Sequence, residues 1–180
     1  MGSDKALAEI DGRPMALRVA EAVAKVCGPV SLVGDPARYA GLGLPVVADH
    51  FAGLGPLAGI EAALSATDAE WNLIVACDMP ALDETTLERL FAAGGDCALP
   101  EYENGQLEPL CAVYNRSCHA AVRNALESGV RRVTDALRSA TPPFALRYVR
   151  VQHSEPFANL NTPAELRAYQ RRRSPGEGHG

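Results

Sequence analysis

Residues 71–77, WNLIVAC, form a run that is apolar on both of the faces a strand would present, and the run breaks off at Asp78 and Pro80. A strand of this kind has no side for water, so it belongs inside a sheet covered above and below. Residues 83–91, DETTLERLF, then place Leu87, Leu90 and Phe91 on one helical stripe behind Asp83, a good N-cap. A buried strand followed by an amphipathic helix is a βα unit, and it commits the chain to an α/β architecture.

The remaining segments agree. VSLVG (30–34), PVVAD (45–49), CALP (97–100) and ALRYVRV (145–151) read as strands. LAGIEAALSAT (57–67) puts Leu57, Ile60, Ala63, Leu64 and Thr67 on one helical face, and Cys118, Ala121, Val122, Ala125 and Leu126 follow the same period. ENG (103–105) is a hairpin turn leading into LEPLCAVY (107–114). Thr162, Pro163 and Glu165 fit the N-cap, N1 and N3 positions of a final helix, with Thr and Glu as a capping box. From Arg171 onward RRRSPGEGHG has no apolar face. The expectation is a single domain over residues 1–172 and a disordered tail over 173–180. Its fold is a three-layer αβα, mainly parallel Rossmann-like sheet, with an antiparallel excursion near residues 97–114.

A length of 180 residues suits one domain with a proper core. The net charge of −5 argues against a nucleic-acid surface, which would want a basic stripe. The five cysteines are an odd number, form no C-x-x-C pair and mostly sit in apolar runs, which reads as buried, reduced thiols of a cytoplasmic protein. No stretch is long and apolar enough for a membrane helix, and the polar, acidic start is unlike a signal peptide.

In open α/β sheets ligands sit beyond the carboxyl ends of the strands. Asp35, Asp49 and Asp78 all fall there. Asp78 is the best placed, because Pro80 stops the strand and leaves a carboxylate at its tip, a natural ligand for Mg²⁺ together with substrate phosphates. The alternative is a turn residue. GLGPLAG (53–59) opens a helix with glycines that allow close approach to its free N–H groups, or else is an ordinary loop. Arg131 and Arg132 in GVRRVTDAL suit a phosphate, or a solvated helix start. Asn159 and Asn161 in NLNTP offer two amides to a heterocycle, or a routine helix entrance. Dinucleotide and Walker glycine motifs, nucleophile elbows and zinc-type histidine spacings are absent from the sequence. Cys77 ends an apolar run and reads as a core thiol.

Taken in order, DKALAEIDGRPM, VVADHFAGLGPLAGIEAAL, VACDMPAL, ENGQLEPLCAVY, GVRRV and NLNTPAEL resemble the molybdenum cofactor guanylyltransferases, the MobA-like nucleotidyltransferases. The resemblance implies a sheet of the nucleotide-diphospho-sugar transferase type. It implies transfer of GMP from GTP to molybdopterin with release of pyrophosphate, and Mg²⁺ as cofactor. By the same resemblance Asp78 holds the metal, Lys5 contacts the nucleotide phosphates and Asp49 contacts the nucleotide. Gly55, Gly59, Asn159 and Asn161 serve the pterin, with Arg131 and Arg132 beside them. Protein partners that deliver molybdopterin or mature molybdoenzymes are also implied.

The family pattern opens with a strand and a glycine-rich loop, roughly LAGGxSxRMGxDK, and this sequence enters it at Met1-Gly2. The expectation is that the first strand and that loop lie outside the 180 residues, so that this form binds GTP poorly. Three readings stay open: a guanylyltransferase with a start recorded too late, a non-catalytic fragment, and a related transferase using CTP or a sugar phosphate.

Overall fold

The computed structural model describes residues 4–152, 157, 160 and 163–173. It begins with a 3-10 turn at Lys5–Leu7, capped by the Asp4 carboxylate, which accepts from Ala6 N–H. A short antiparallel hairpin follows, β1 (Glu9–Ile10) and β2 (Arg13–Pro14). Its two-residue turn takes positive φ at both Asp11 (52°) and Gly12 (73°), which an Asp-Gly pair tolerates. The chain continues through α1 (Met15–Cys27), β3 (Leu32–Val33), α2 (Pro36–Tyr39), β4 (Val46–Val47), α3 (Pro56–Ser65), β5 (Trp71–Val75) and α4 (Glu84–Ala93). After them come β6 (Cys97–Tyr102), β7 (Cys111–Asn115), α5 (His119–Glu127), α6 (Val133–Ser139), β8 (Leu146–Val151) and α7 (Pro163–Arg173).

Four strands form the main sheet in the order β5-β7-β6-β8. β6 and β8 pair in parallel, while β7 runs antiparallel to both β5 and β6. Three of the four strands therefore point one way, and β7 is the antiparallel excursion. It begins later than the sequence suggests, because residues 107–110 are held in a loop; only a single bridge, Glu101 to Leu107, continues the pairing.

The strand period of two sorts the core into two layers. Cys97, Leu99, Ala112 and Tyr114 face α3, α5 and α6, where Leu57, Ile60, Val122, Leu126 and Leu137 meet them. Ala98, Cys111 and Val113 face α1 and α4, against Val19, Val23, Leu87 and Leu90. Asp83 caps α4 as expected, accepting from Thr86 N–H at 2.8 Å. Helix α1 was not assigned from sequence, although Met15, Val19 and Val23 recur at helical spacing and all three are buried. Helix α7 extends to Arg173, past the point where its polarity suggested a tail.

One expectation is corrected. β5, read as a central strand, lies at the edge of the four-stranded sheet, and its residues are only half-buried or exposed. β3 and β4 form a separate parallel pair. Between β3 and β5 lies a cavity of about 710 Å³, with Leu32 and Val33 on one side and Leu73 to Asp78 on the other. Val19 and Val23 of α1 and Gly59, Ile60 and Ala63 of α3 close it from the two faces. Both strand edges that face it are without a ladder partner among the described residues.

Candidate active site

Asp78 stands just past the carboxyl end of β5, at one end of this cavity. Its Oδ2 lies 3.6 Å from Lys5 Nζ, with the carboxylate mostly covered and the lysine more exposed. Sequence distance hides this pairing, and three contacts build it. The Asp4 cap turns the chain so that Lys5 leads a 3-10 turn. Asp4 Oδ2 also accepts from Tyr39 Oη at 2.8 Å and meets Arg38 Nη1 at 3.3 Å, which ties α2 to the same place. Gly34 leaves room for this, since a Cβ there would stand 2.5 Å from the Tyr39 ring.

The loop of Asp78 is braced from the far end of the chain. Leu160 N–H donates to the Asp78 carbonyl at 3.0 Å, and Tyr169 Oη donates to the Pro80 carbonyl at 3.0 Å. Leu160 itself is buried with Ile10 and Met15. Leu160 of NLNTP thus meets Asp78, while Asn159, Asn161 and Thr162 lie outside the described residues.

Glu108 is a carboxylate that the sequence reading did not single out. Burial pushes its carboxyl up from the ordinary range, a bond from Leu110 N–H at 3.2 Å works the other way, and the charge of Asp78 adds to the rise. An acid in the apolar stretch QLEPLCAVY was the available signal. Burial holds the neighbouring Cys77 thiol at about 11, so it is a poor nucleophile at neutral pH.

The other expected residues divide. Asp49 follows β4, and its Oδ1 accepts from Phe51 N–H at 2.8 Å, shaping the turn into GLGPLAG. Gly55 is the N-cap of α3 with φ 86°, a conformation that favours glycine. Gly59 faces the cavity, and a Cβ there would touch nothing. Asp35 caps α2 through Ala37 and Arg38 N–H. Arg131 bends back onto the end of α5, donating to the Leu126 and Val130 carbonyls, and Arg132 is the exposed N-cap residue of α6. Both therefore stand at helix ends.

The arrangement at Asp78 suits polyanion chemistry. A carboxylate at a strand tip and an ammonium between solvent and protein can together hold a hard cation and phosphates. Among the described residues no three His, Cys, Asp or Glu gather as metal ligands.

Comparison with known proteins points the same way. The family profile described as MobA-like NTP transferase domain matches residues 1–141. The molybdenum cofactor guanylyltransferase of Rhodopseudomonas palustris (strain BisB5) is 37% identical over 177 residues, spanning 92% of this chain and 83% of that protein. That of Desulfosudis oleivorans is 34% identical over 175 residues, spanning 92% and 85%. The crystal structure of molybdopterin-guanine dinucleotide biosynthesis protein A from Archaeoglobus fulgidus superposes with a TM-score of 0.77 at 25% identity, over 94% of this chain and 90% of that one. A 2-C-methyl-D-erythritol 4-phosphate cytidylyltransferase from Thermus thermophilus shares the fold, with a TM-score of 0.71 at 16% identity over 93% and 92%.

Proposed function

From the premise that this chain belongs to the MobA-like NTP transferase family, we propose that it transfers GMP from GTP to molybdopterin. The observation that carries the reading is the apposition of Lys5 and Asp78 at the carboxyl end of β5. In the reaction an oxygen of the pterin phosphate bonds to the α-phosphorus of GTP, the α–β phosphoanhydride bond breaks, and pyrophosphate leaves with the electron pair. No residue need become a covalent intermediate.

Asp78 would hold Mg²⁺: its mostly covered carboxylate stands at a strand tip beside Lys5, and one protein carboxylate with substrate phosphates suits that ion. When bound, the ion supplies charge neutralisation for the phosphates. Lys5 exchanges its contact with Asp78 for phosphate oxygens and supplies a second positive charge there. Asp49 contacts the nucleotide. Asn159 and Asn161, with Gly55 and Gly59, serve the pterin, and the Leu160 bond to Asp78 joins the two halves of the site. Holding two polyanions in line removes much of the entropic barrier. Arg131 and Arg132 stay at the margin of the proposal.

The test is transfer of GMP from Mg·GTP to molybdopterin, with CTP in competition. Asp78→Asn keeps the shape of the strand tip and removes the charge, so turnover should fall about a hundredfold or more with the melting temperature preserved. Near-normal turnover in that variant would reduce Asp78 to a turn residue, and preference for CTP would change the substrate.

A further inference from the structure

Helix α3 carries one charge in an alanine-rich segment, Glu61, and it is fully buried. Its Oε1 meets His119 Nε2 at 2.9 Å and Arg123 Nε at 3.4 Å, both on α5, while Oε2 is buried with no hydrogen-bond partner. Burying a carboxylate costs more than burying a leucine of similar volume, so stability alone does not account for it. The arginine shows where the arrangement leads. Its guanidinium carbon lies 6.0 Å from the centre of the Phe51 ring. Phe51 N–H donates to Asp49 Oδ1, and the Phe51 carbonyl accepts from Leu54 N–H at 3.0 Å. A continuous line of contacts therefore runs from Glu61 through Arg123 and Phe51 to Asp49 and the turn that opens α3.

We infer that Glu61 and Arg123 are positioning residues for the 49–55 turn, fixing through Phe51 the direction in which Asp49 presents itself to the nucleotide. Glu61 holds the guanidinium at Nε, and the guanidinium in turn lies over the Phe51 ring. Glu127 meets Arg123 Nε at 3.8 Å on the outer face of α5, a weaker contact that does not reach the turn. His119 Nε2 shares the same carboxylate oxygen, at 2.9 Å. The inference rests on the reading of Asp49 as a nucleotide contact.

Two measurements test it in the intact protein. In steady-state assays Phe51→Leu and Arg123→Ala should each raise the KM for GTP about threefold, the size of a surface cation–π contact, with kcat within about twofold. Phe51→Trp keeps an aromatic face and should restore the KM. The double variant Phe51→Leu/Arg123→Ala should be no worse than either single one. Additive effects, or an unchanged KM in both, would overturn the inference. Amide hydrogen exchange reads the same device without turnover. Arg123→Ala and Glu61→Gln should speed exchange at Phe51 and Leu54, and Phe51→Trp should not. Unchanged exchange in Arg123→Ala sinks the positioning role whatever the assay shows. Faster exchange in a protein that transfers no GMP sustains it and removes the functional reading instead.

Discussion

On one side of β5 the sheet is continuous: β7, β6 and β8 follow in an unbroken ladder, with helices packed on both faces. On the other side the next strand, β3, is reached only across the cavity. The two halves share the same residue types and the same helices, since α1 and α3 border both. What differs is pairing. In the closed half, alternate residues of β6 and β7 are buried on both faces; in the open half, Leu32, Val33 and most of β5 are half-buried. An apolar strand has a central environment only when both of its edges are paired.

The largest expected contrast comes from the same truncation in each half. Leu99→Ala removes a fully buried side chain from β6 and should cost about 3–5 kcal/mol in urea denaturation. Leu32→Ala, on the cavity wall, should cost about 1 kcal/mol or less. Equal losses would mean that the open half is as tightly packed as the closed one.

The thiols give a second contrast. Cys97, Cys111 and Cys118 are buried in the closed half, whereas Cys27 and Cys77 border the cavity. Burial holds the Cys118 thiol at about 12 against an ordinary 9.0, and pushes Cys97 and Cys111 higher still. Above pH 9 the unfolded chain loses these protons and the folded chain keeps them. Stability is therefore full below pH 9 and falls as pH rises toward the folded values, by about 1.4 kcal/mol per such thiol per pH unit. Melting temperatures from pH 8 to 11 should show this slope. Cys97→Ala should lessen the slope, which Cys111, Cys118 and Cys77 still carry, and Cys27→Ser should lessen it less; the reverse ranking would invert the comparison.

The smallest contrast is at the helix caps. Asp83→Ala removes the cap of α4, which packs on β6 and β8, and should cost about 1 kcal/mol by thermal or chemical unfolding. Asp35→Ala uncaps α2, a helix of four residues in the open half, and should cost about half as much or less. Matching costs would show that α2 is as strongly coupled to the fold as α4.

The same division marks what could be read in the sequence. Local signals were legible: the strand run at β5, the Asp83 cap, the helix periods of α3 and α5, and Asp78 at a strand end. What failed was long-range. Residues 71–77 carry the composition of a central strand, and nothing in them reveals that one edge faces a cavity. The partners of Glu61, His119 and Arg123, come from about sixty residues away and leave no mark in its own segment. Lys5 was assigned only through resemblance, because its meeting with Asp78 depends on the Asp4 turn and on Tyr39. The contact of Arg131 with the end of α5 is likewise invisible in the motif that drew attention to it.

The brace on the Asp78 loop has a consequence for how the protein is made. Pro80 and its partner Tyr169 are separated by 89 residues, and at about 5–20 residues per second the ribosome takes roughly 4–18 s to supply them. Within that interval β6, β7 and β8 are completed, and until residue 160 is made the aspartate loop has neither the Leu160 nor the Tyr169 bond. Scaffold and site are thus completed in sequence, and a nascent chain stopped before residue 160 carries Asp78 on a loop that nothing from α7 yet holds.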